Sequence, residues 1–138
     1  MVYLCGSMDG ISVEEGNAWR LYASEKLKAA GFDVYNPYDG FELTKEAHAK
    51  ANRNEVFYKD IWYLDRSDIV LANLTMPEVV KSASMPLFTI GEMFLAHRDR
   101  KVVVSFTNPL QGRVGYESIV TKTAEDLDGA IDYIIQNY

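Results

Sequence analysis

Glu92 is a lone acid in an apolar stretch, Pro86-Leu-Phe-Thr-Ile-Gly-Glu-Met-Phe-Leu-Ala96, with Phe88 four residues before it, Leu95 three after and Ala96 four after. At helical spacing these neighbours share its face. Gly91 beside it costs a helix about 1 kcal/mol relative to alanine and leaves room for something to approach the backbone. Asp60 lies in the aromatic half of a second helical pattern, from about Thr44 to Leu64. Relative to Phe57, helical angles place Asp60, Ile61 and Leu64 within about 60° of one another, so a carboxylate flanks a buried stripe. An ionised acid withdrawn from water is costly unless it is paired, neutralised or facing a site. The bland alternative for both acids is a position at the solvent edge of a helix. Two carboxylates at one pocket suit glycosidic chemistry, in which one attacks the anomeric carbon and the other manages the proton of the leaving group.

Other chemistries have less to stand on. Gly6-Ser7-Met8-Asp9-Gly10 follows a strand-like run and precedes a helix, where backbone N–H groups can face an anion or a polar ligand. A plain reversing turn is the alternative. The stretch is neither a G-x-G-x-x-G nor a P-loop, which removes most support for a dinucleotide or nucleoside triphosphate. Cys5, the single cysteine, falls inside a strand as a small buried thiol, and neither His48 nor His97 has an evident acid partner, so a serine or cysteine nucleophile is the weaker reading. No Cys/His spacing suits a structural zinc. Asp65 and Asp68 flank the amino end of a strand, the wrong end for a site, and Asp68 reads as a turn residue.

The elements that must hold these residues alternate. Val2 to Cys5 reads as a strand. Ser12 to Ala30 reads as a helix capped by Ser12 with Glu15 three residues on, and stopped at Gly31. Phe32 to Tyr35 is a second strand closed by Asn36-Pro37. Ser67-Asp68 breaks the second helix, and Ile69 to Asn73 is a continuous apolar strand of the kind covered on both faces. Leu87 to His97 is helical and Lys101 to Ser105 another apolar strand. Ser118 to Thr121 reads as a short last strand, and Ala124 to Gln136 as an amphipathic closing helix. The pattern describes one α/β domain over residues 1–138, with a parallel sheet of four or five strands and helices on both faces. Ligands of such sheets sit beyond the carboxyl ends of the strands, which directs attention to the loops after Cys5, Tyr35, Asn73 and Ser105.

Composition narrows the classes. At 138 residues, 48% hydrophobic and 25% charged, the chain can bury a real core and is neither disordered nor low-complexity. A formal charge of −6 argues against a dedicated nucleic-acid or anionic-membrane binder. With one cysteine, no intrachain disulfide is possible, and no apolar run has the length of a membrane span or a signal peptide, so the expected compartment is the cytoplasm.

Taken together, Val2-Tyr-Leu-Cys-Gly-Ser7, Asp60 followed by Ser67-Asp-Ile-Val-Leu-Ala-Asn-Leu74, and Phe88-Thr-Ile-Gly-Glu92-Met resemble the nucleoside 2-deoxyribosyltransferase superfamily over most of the chain. The resemblance implies a flavodoxin-like three-layer α/β sandwich and a retaining transfer of 2-deoxyribose between nucleobases. Glu92 would be the nucleophile on C1′, Asp60 would orient or protonate the departing base, and Tyr3 would position the nucleophile. Gly6 and Ser7 match the loop beside sugar and base, and Met8, Asn73 and Gly91 join them as expected substrate contacts. The resemblance also implies no cofactor, small deoxynucleoside and nucleobase substrates, and a homodimer or larger homo-oligomer. A neighbour's segment from Asn108 to Tyr116 would complete the pocket, with Asn108 touching substrate.

Two departures from the family pattern matter. The related hydrolases of nucleoside 5′-monophosphates carry an arginine in the first loop where Asp9 or its neighbours stand here, which favours a substrate without a 5′-phosphate. The stretch from Thr75 to Pro86 is longer than in most relatives and places Pro86, not an acid, six residues before Glu92. Alternatives to a transferase are therefore an N-glycoside hydrolase and a catalytically inert nucleotide-binding module.

Overall fold

The computed structural model describes residues 1–8, 11–40, 53–75, 87–107 and 112–138. Its apolar strand-forming runs supply a five-stranded sheet: β1 (Val2–Gly6), β2 (Val34–Tyr35), β3 (Ile69–Asn73), β4 (Val102–Phe106) and β5 (Lys122–Ala124). The order is β2-β1-β3-β4-β5 and every pairing is parallel. The connections are α1 (Val13–Ala29), α2 (Arg53–Arg66), α3 (Leu87–Arg98) and α4 (Val114–Glu117), and α5 (Leu127–Asn137) follows β5.

Strand parity decides what each face of the sheet carries, because successive side chains point to opposite sides. Val2 and Leu4 pack with Ala23 and Leu27 of α1 and with Ala130, Ile131 and Ile134 of α5. Tyr3 and Cys5 point the other way, into a cluster with Leu64 of α2 and Met93 and Ala96 of α3. The two residues of β1 that carry heteroatoms thus face the two helices that carry the candidate acids.

Local signals set the helix ends. Ser12 Oγ accepts from the Glu15 N–H while the Glu15 carboxylate accepts from the Ser12 N–H, completing the capping box expected there. Gly31 stops α1 with a φ of +94°, a conformation open to glycine at little cost. Asp68 bonds the Met1 ammonium at 2.7 Å at the amino end of the sheet.

Two expectations need correcting and one is only partly covered. Residues 118–121 form no strand: the last strand is Lys122–Ala124, and the short α4 before it is anchored by a hydrogen bond between Tyr116 and Ser105. Apolar content placed a strand on Ile119 and Val120, but Ile119 instead fills the core below α4. The closing helix starts at Leu127 rather than Ala124, because Asp126 caps it by accepting from the Gly129 N–H. Of the helix expected from Thr44, residues before 53 lie outside the described residues.

Gly6 ends β1 where backbone meets side chains closely. A Cβ built there would sit 3.0 Å from Trp19 Cζ2, 3.2 Å from Arg20 Nη2 and 3.3 Å from Asn73 Cβ. Gly6→Ala should therefore lower stability by about 1–3 kcal/mol, read from the midpoint of chemical denaturation.

Candidate active site

The buried stripe of α3 is Thr89, Glu92, Met93 and Ala96, so Glu92 faces the sheet. Phe88, expected on the same side, is instead half-exposed. Glu92 keeps only 7% of its surface, and each carboxylate oxygen has a donor from β1. Tyr3 Oη–H donates to Oε1 at 2.6 Å, and the Cys5 thiol donates to Oε2 at 2.9 Å.

Asp60 is also buried, with 6% exposure, and is no solvent-edge residue. The inward side of α2 runs through Asp60 and Leu64 and on to Ser67 just past its end, one step round from the stripe through Phe57 that spacing suggested. Phe57 turns outward and meets Phe88 edge to face at 5.2 Å. Asp60 Oδ1 accepts from Tyr35 Oη–H at 2.9 Å. Tyr3 and Tyr35 are register partners on β1 and β2, and their rings stack at 5.5 Å; Tyr63 covers the far side of Tyr35 at 3.7 Å. Each acid is thus held by a phenol, and the two phenols lie against each other.

Behind them sits Arg20 of α1, fully buried. Its guanidinium donates to the carbonyls of Gly16 and Gly6, the latter at 2.7 Å, and lies against the Trp19 and Tyr38 rings. Its Nε has no hydrogen-bond partner. No ion pair to it appears among the described residues, so its charge acts on the site at longer range.

The electrostatics follow from dryness. Burial raises the Glu92 carboxyl to about 7, and the charge on Asp60 pushes the same way; the Cys5 and Tyr3 hydrogen bonds and the charge of Arg20 oppose it. Burial also raises Asp60, opposed by the Tyr35 hydrogen bond and by the charges of Lys59 and Arg20. The Tyr3 phenol and the Cys5 thiol are both pushed well up, first by burial and then by the charge of Glu92, so each keeps its proton and acts as a donor. Burial holds the Arg20 guanidinium below its usual range, yet an arginine stays charged at neutral pH.

The remaining candidate residues divide. Ser7 and Asn73 line a cleft of about 260 Å³ at the carboxyl ends of β1 and β3, together with Ile11, Glu15, Trp19 and Thr75. This is the crevice where strand order reverses. Asn73 Oδ1 accepts from the Thr75 N–H at 2.8 Å, and its amide nitrogen has no partner among the described residues. Gly6 is closed in by Trp19, Arg20 and Asn73 and offers no open backbone on that side. Met8 is half-buried and outside the cleft lining. Gly91 is exposed and faces open space, so its missing side chain admits no close described neighbour. Asn108 lies outside the described residues. Tyr116, at the end of the segment expected to reach a neighbour, is instead buried in its own chain. Neither Glu92 nor Asp60 lines the cleft.

Sequence reasoning passed over Tyr35, Cys5 and Arg20 as site residues. Tyr35 was findable, since it closes a strand at the carboxyl end. Arg20 stands four residues from Gly16 on the small-residue side of α1, where a lone cation is the signal. Among the described residues no group of His, Cys, Asp and Glu could hold a metal ion, and no helix is long and apolar enough to cross a membrane.

A parallel sheet in this order with helices on both faces defines the flavodoxin-like class of α/β proteins. Within that class the chain belongs to the family described as "Nucleoside 2-deoxyribosyltransferase like", whose profile matches residues 1–109. No curated protein matches it in sequence. Among solved structures it is similar to a 2-deoxyribosyltransferase from the psychrotolerant bacterium Bacillus psychrosaccharolyticus, at 17% identity over 99% of this chain and 90% of that one, with a TM-score of 0.68. A conserved protein from Enterococcus faecalis follows at 15% identity, covering 99% and 98%, with a TM-score of 0.68. A CMP N-glycosidase from Clostridium botulinum has 12% identity, the same coverages and a TM-score of 0.63. At these identities the likeness establishes the fold.

The raised Glu92 carboxyl links protons to stability. Between its ordinary value of 4.5 and about 7 the unfolded chain has lost this proton while the folded chain keeps it, so stability falls as pH rises through that window. The full loss is about 3 kcal/mol. Glu92→Gln should remove that decline: by denaturant titration the variant is more stable than wild type at pH 8 and indistinguishable from it at pH 4.

Proposed function

We propose that the protein transfers 2-deoxyribose between nucleobases through a covalent intermediate on Glu92. The observation that carries this reading is one buried carboxylate gripped on both oxygens, beside a second whose charge it feels. Glu92 gives an electron pair to C1′ of the sugar, the C1′–N bond breaks toward the base, and Asp60 supplies the proton the base nitrogen needs. A second base then attacks C1′ through a ring nitrogen, its N–H proton passes to the Asp60 carboxylate, and the C1′–O bond breaks to release Glu92 as a carboxylate. Tyr3 stabilises the ionised nucleophile and Tyr35 fixes Asp60. The Ser7 hydroxyl, the Asn73 amide and the Trp19 indole give the cleft at the carboxyl ends of β1 and β3 the mixed polar and aromatic lining that a nucleoside suits. Family membership and the 2-deoxyribosyltransferase among the structural neighbours support the same chemistry. The chain's own residues supply both nucleophile and proton, so this reaction draws on no cofactor.

The two acids act as one proton-sharing pair. Asp60 is charged while Glu92 titrates in the free protein, whereas attack requires the proton on Asp60 and the charge on Glu92. A base docked against Asp60 offers it an acceptor for a proton, which favours the productive arrangement. The reactive form is therefore the singly protonated pair, present between its two macroscopic pKa values. The kcat/KM profile should be bell-shaped and fall as pH rises through about 7, the value at which Glu92 gives up the pair's last proton.

The test gives purified protein a 2′-deoxynucleoside with and without a second free base. A transferase makes the new nucleoside, and Glu92→Ala abolishes it; exchange that persists in this variant sinks the assignment. Release of free sugar and base without an acceptor identifies a hydrolase on the same intermediate, and binding without product identifies an inert nucleotide-binding module.

A further inference from the structure

Cys5 lies two residues beyond Tyr3 on the same face of β1 and is 1% exposed. Its Sγ stands 2.9 Å from Glu92 Oε2 and 3.6 Å from the carbonyl oxygen of Thr89, on the same helix as Glu92. A thiol has one proton, so these two acceptors compete for it. The other carboxylate oxygen, Oε1, is committed to the stronger phenol donor of Tyr3 at 2.6 Å. A weak S–H donor leaves Oε2 with the more available lone pair, which makes it the better attacking atom.

Resting on the glycosyl-transfer reading above, we propose that Cys5 is a positioning residue. Its thiol holds Glu92 Oε2 in the resting protein and turns to the Thr89 carbonyl once Oε2 has bonded to the sugar. As Oε2 gives its electron pair to C1′, the C1′–N bond breaks toward the base, which takes its proton from Asp60. The thiol keeps its own proton throughout and exchanges one acceptor for the other. An ester oxygen is a poorer acceptor than a carboxylate, and a buried donor left without a partner is costly. The nearby Thr89 carbonyl removes that cost at the moment the intermediate forms.

Among the described residues, the charged and titratable groups facing Glu92 are Tyr3 and Cys5 from β1, Arg20 from α1 and Asp60 from α2. Changing Cys5 alone leaves the other three in place. Loss of the thiol removes a donor to the ionised form of Glu92, which moves the alkaline limb of kcat/KM up by about one pH unit in Cys5→Ala. It also shifts the shared proton from Asp60 toward Glu92, so kcat/KM below the limb falls about five-fold while KM is unchanged. Cys5→Ser, which keeps a donor, restores the limb.

The chain has one cysteine, so its infrared spectrum contains one S–H stretching band, and the wild-type protein can be read directly. The band should shift in a single step with a midpoint of about pH 7, and Glu92→Gln should abolish the step. Trapping with a 2-fluorinated deoxynucleoside should move the band to the position of a carbonyl-bonded thiol and remove its pH dependence. A band that ignores pH in a protein that exchanges bases overturns the proposal. So does an unmoved alkaline limb in a Cys5→Ala variant whose circular dichroism shows it folded. A wild-type protein that turns over no nucleoside, though its band titrates, overturns the reaction of the previous section and the handover built on it, and leaves the Cys5–Glu92 bond a structural one.

Discussion

A carboxylate kept almost wholly out of water is the constraint around which this molecule is arranged. Glu92 is tolerated at 7% exposure because Tyr3 and Cys5 each bring a proton to one of its oxygens and a fully buried arginine lies within electrostatic reach. The two hydrogen-bonding partners come from β1, a strand bonded on both sides within the sheet, so the backbone that carries them has almost no freedom to move. What burial takes from the acid's ionisation, fixed donors partly return, and the residual displacement to about 7 leaves the group able to change charge near neutrality.

The acids and strands were legible for different reasons. Strands could be read from continuous β-branched and aliphatic runs such as Ile69 to Asn73, and the first helix from its Ser12–Glu15 box and Gly31 stop. Glu92 stood out because one acid interrupts an apolar helical stripe, and Tyr3 because the resemblance placed it opposite. Asp60 was located but its setting was not: periodicity put Phe57 inside and the acid at the edge, whereas the helix is turned so that Asp60 points in and Phe57 packs on Phe88. Aromatic residues can bury against each other on the outside of a helix pair, and a one-dimensional pattern does not separate that from a core.

The third group of residues was hidden because its meaning is pairwise. Cys5 looks like any small core thiol until the strand is placed under α3. Arg20 looks like a surface cation until α1 is laid over Gly6. Tyr35 gains its role from a register with Tyr3 that depends on two strands separated by a whole helix. Residues 122–124 make a strand through neighbours on β4 rather than through their own apolar content, and Lys122-Thr-Ala124 carries little of it.

The two halves of the site differ in how firmly they are built. Glu92 is clasped from the middle of the sheet, while the phenol that steadies Asp60 comes from β2, an edge strand only two residues long. Tyr35 is held there by stacking on the rings of Tyr3 and Tyr63 as well as by its pairing with β1. Short edge segments are the first to breathe below the threshold of global unfolding. Fraying of that margin would flood Asp60 with solvent and take away the phenol that steadies it while the cage round Glu92 stood intact, so the molecule would forfeit the setting of one carboxylate long before that of the other.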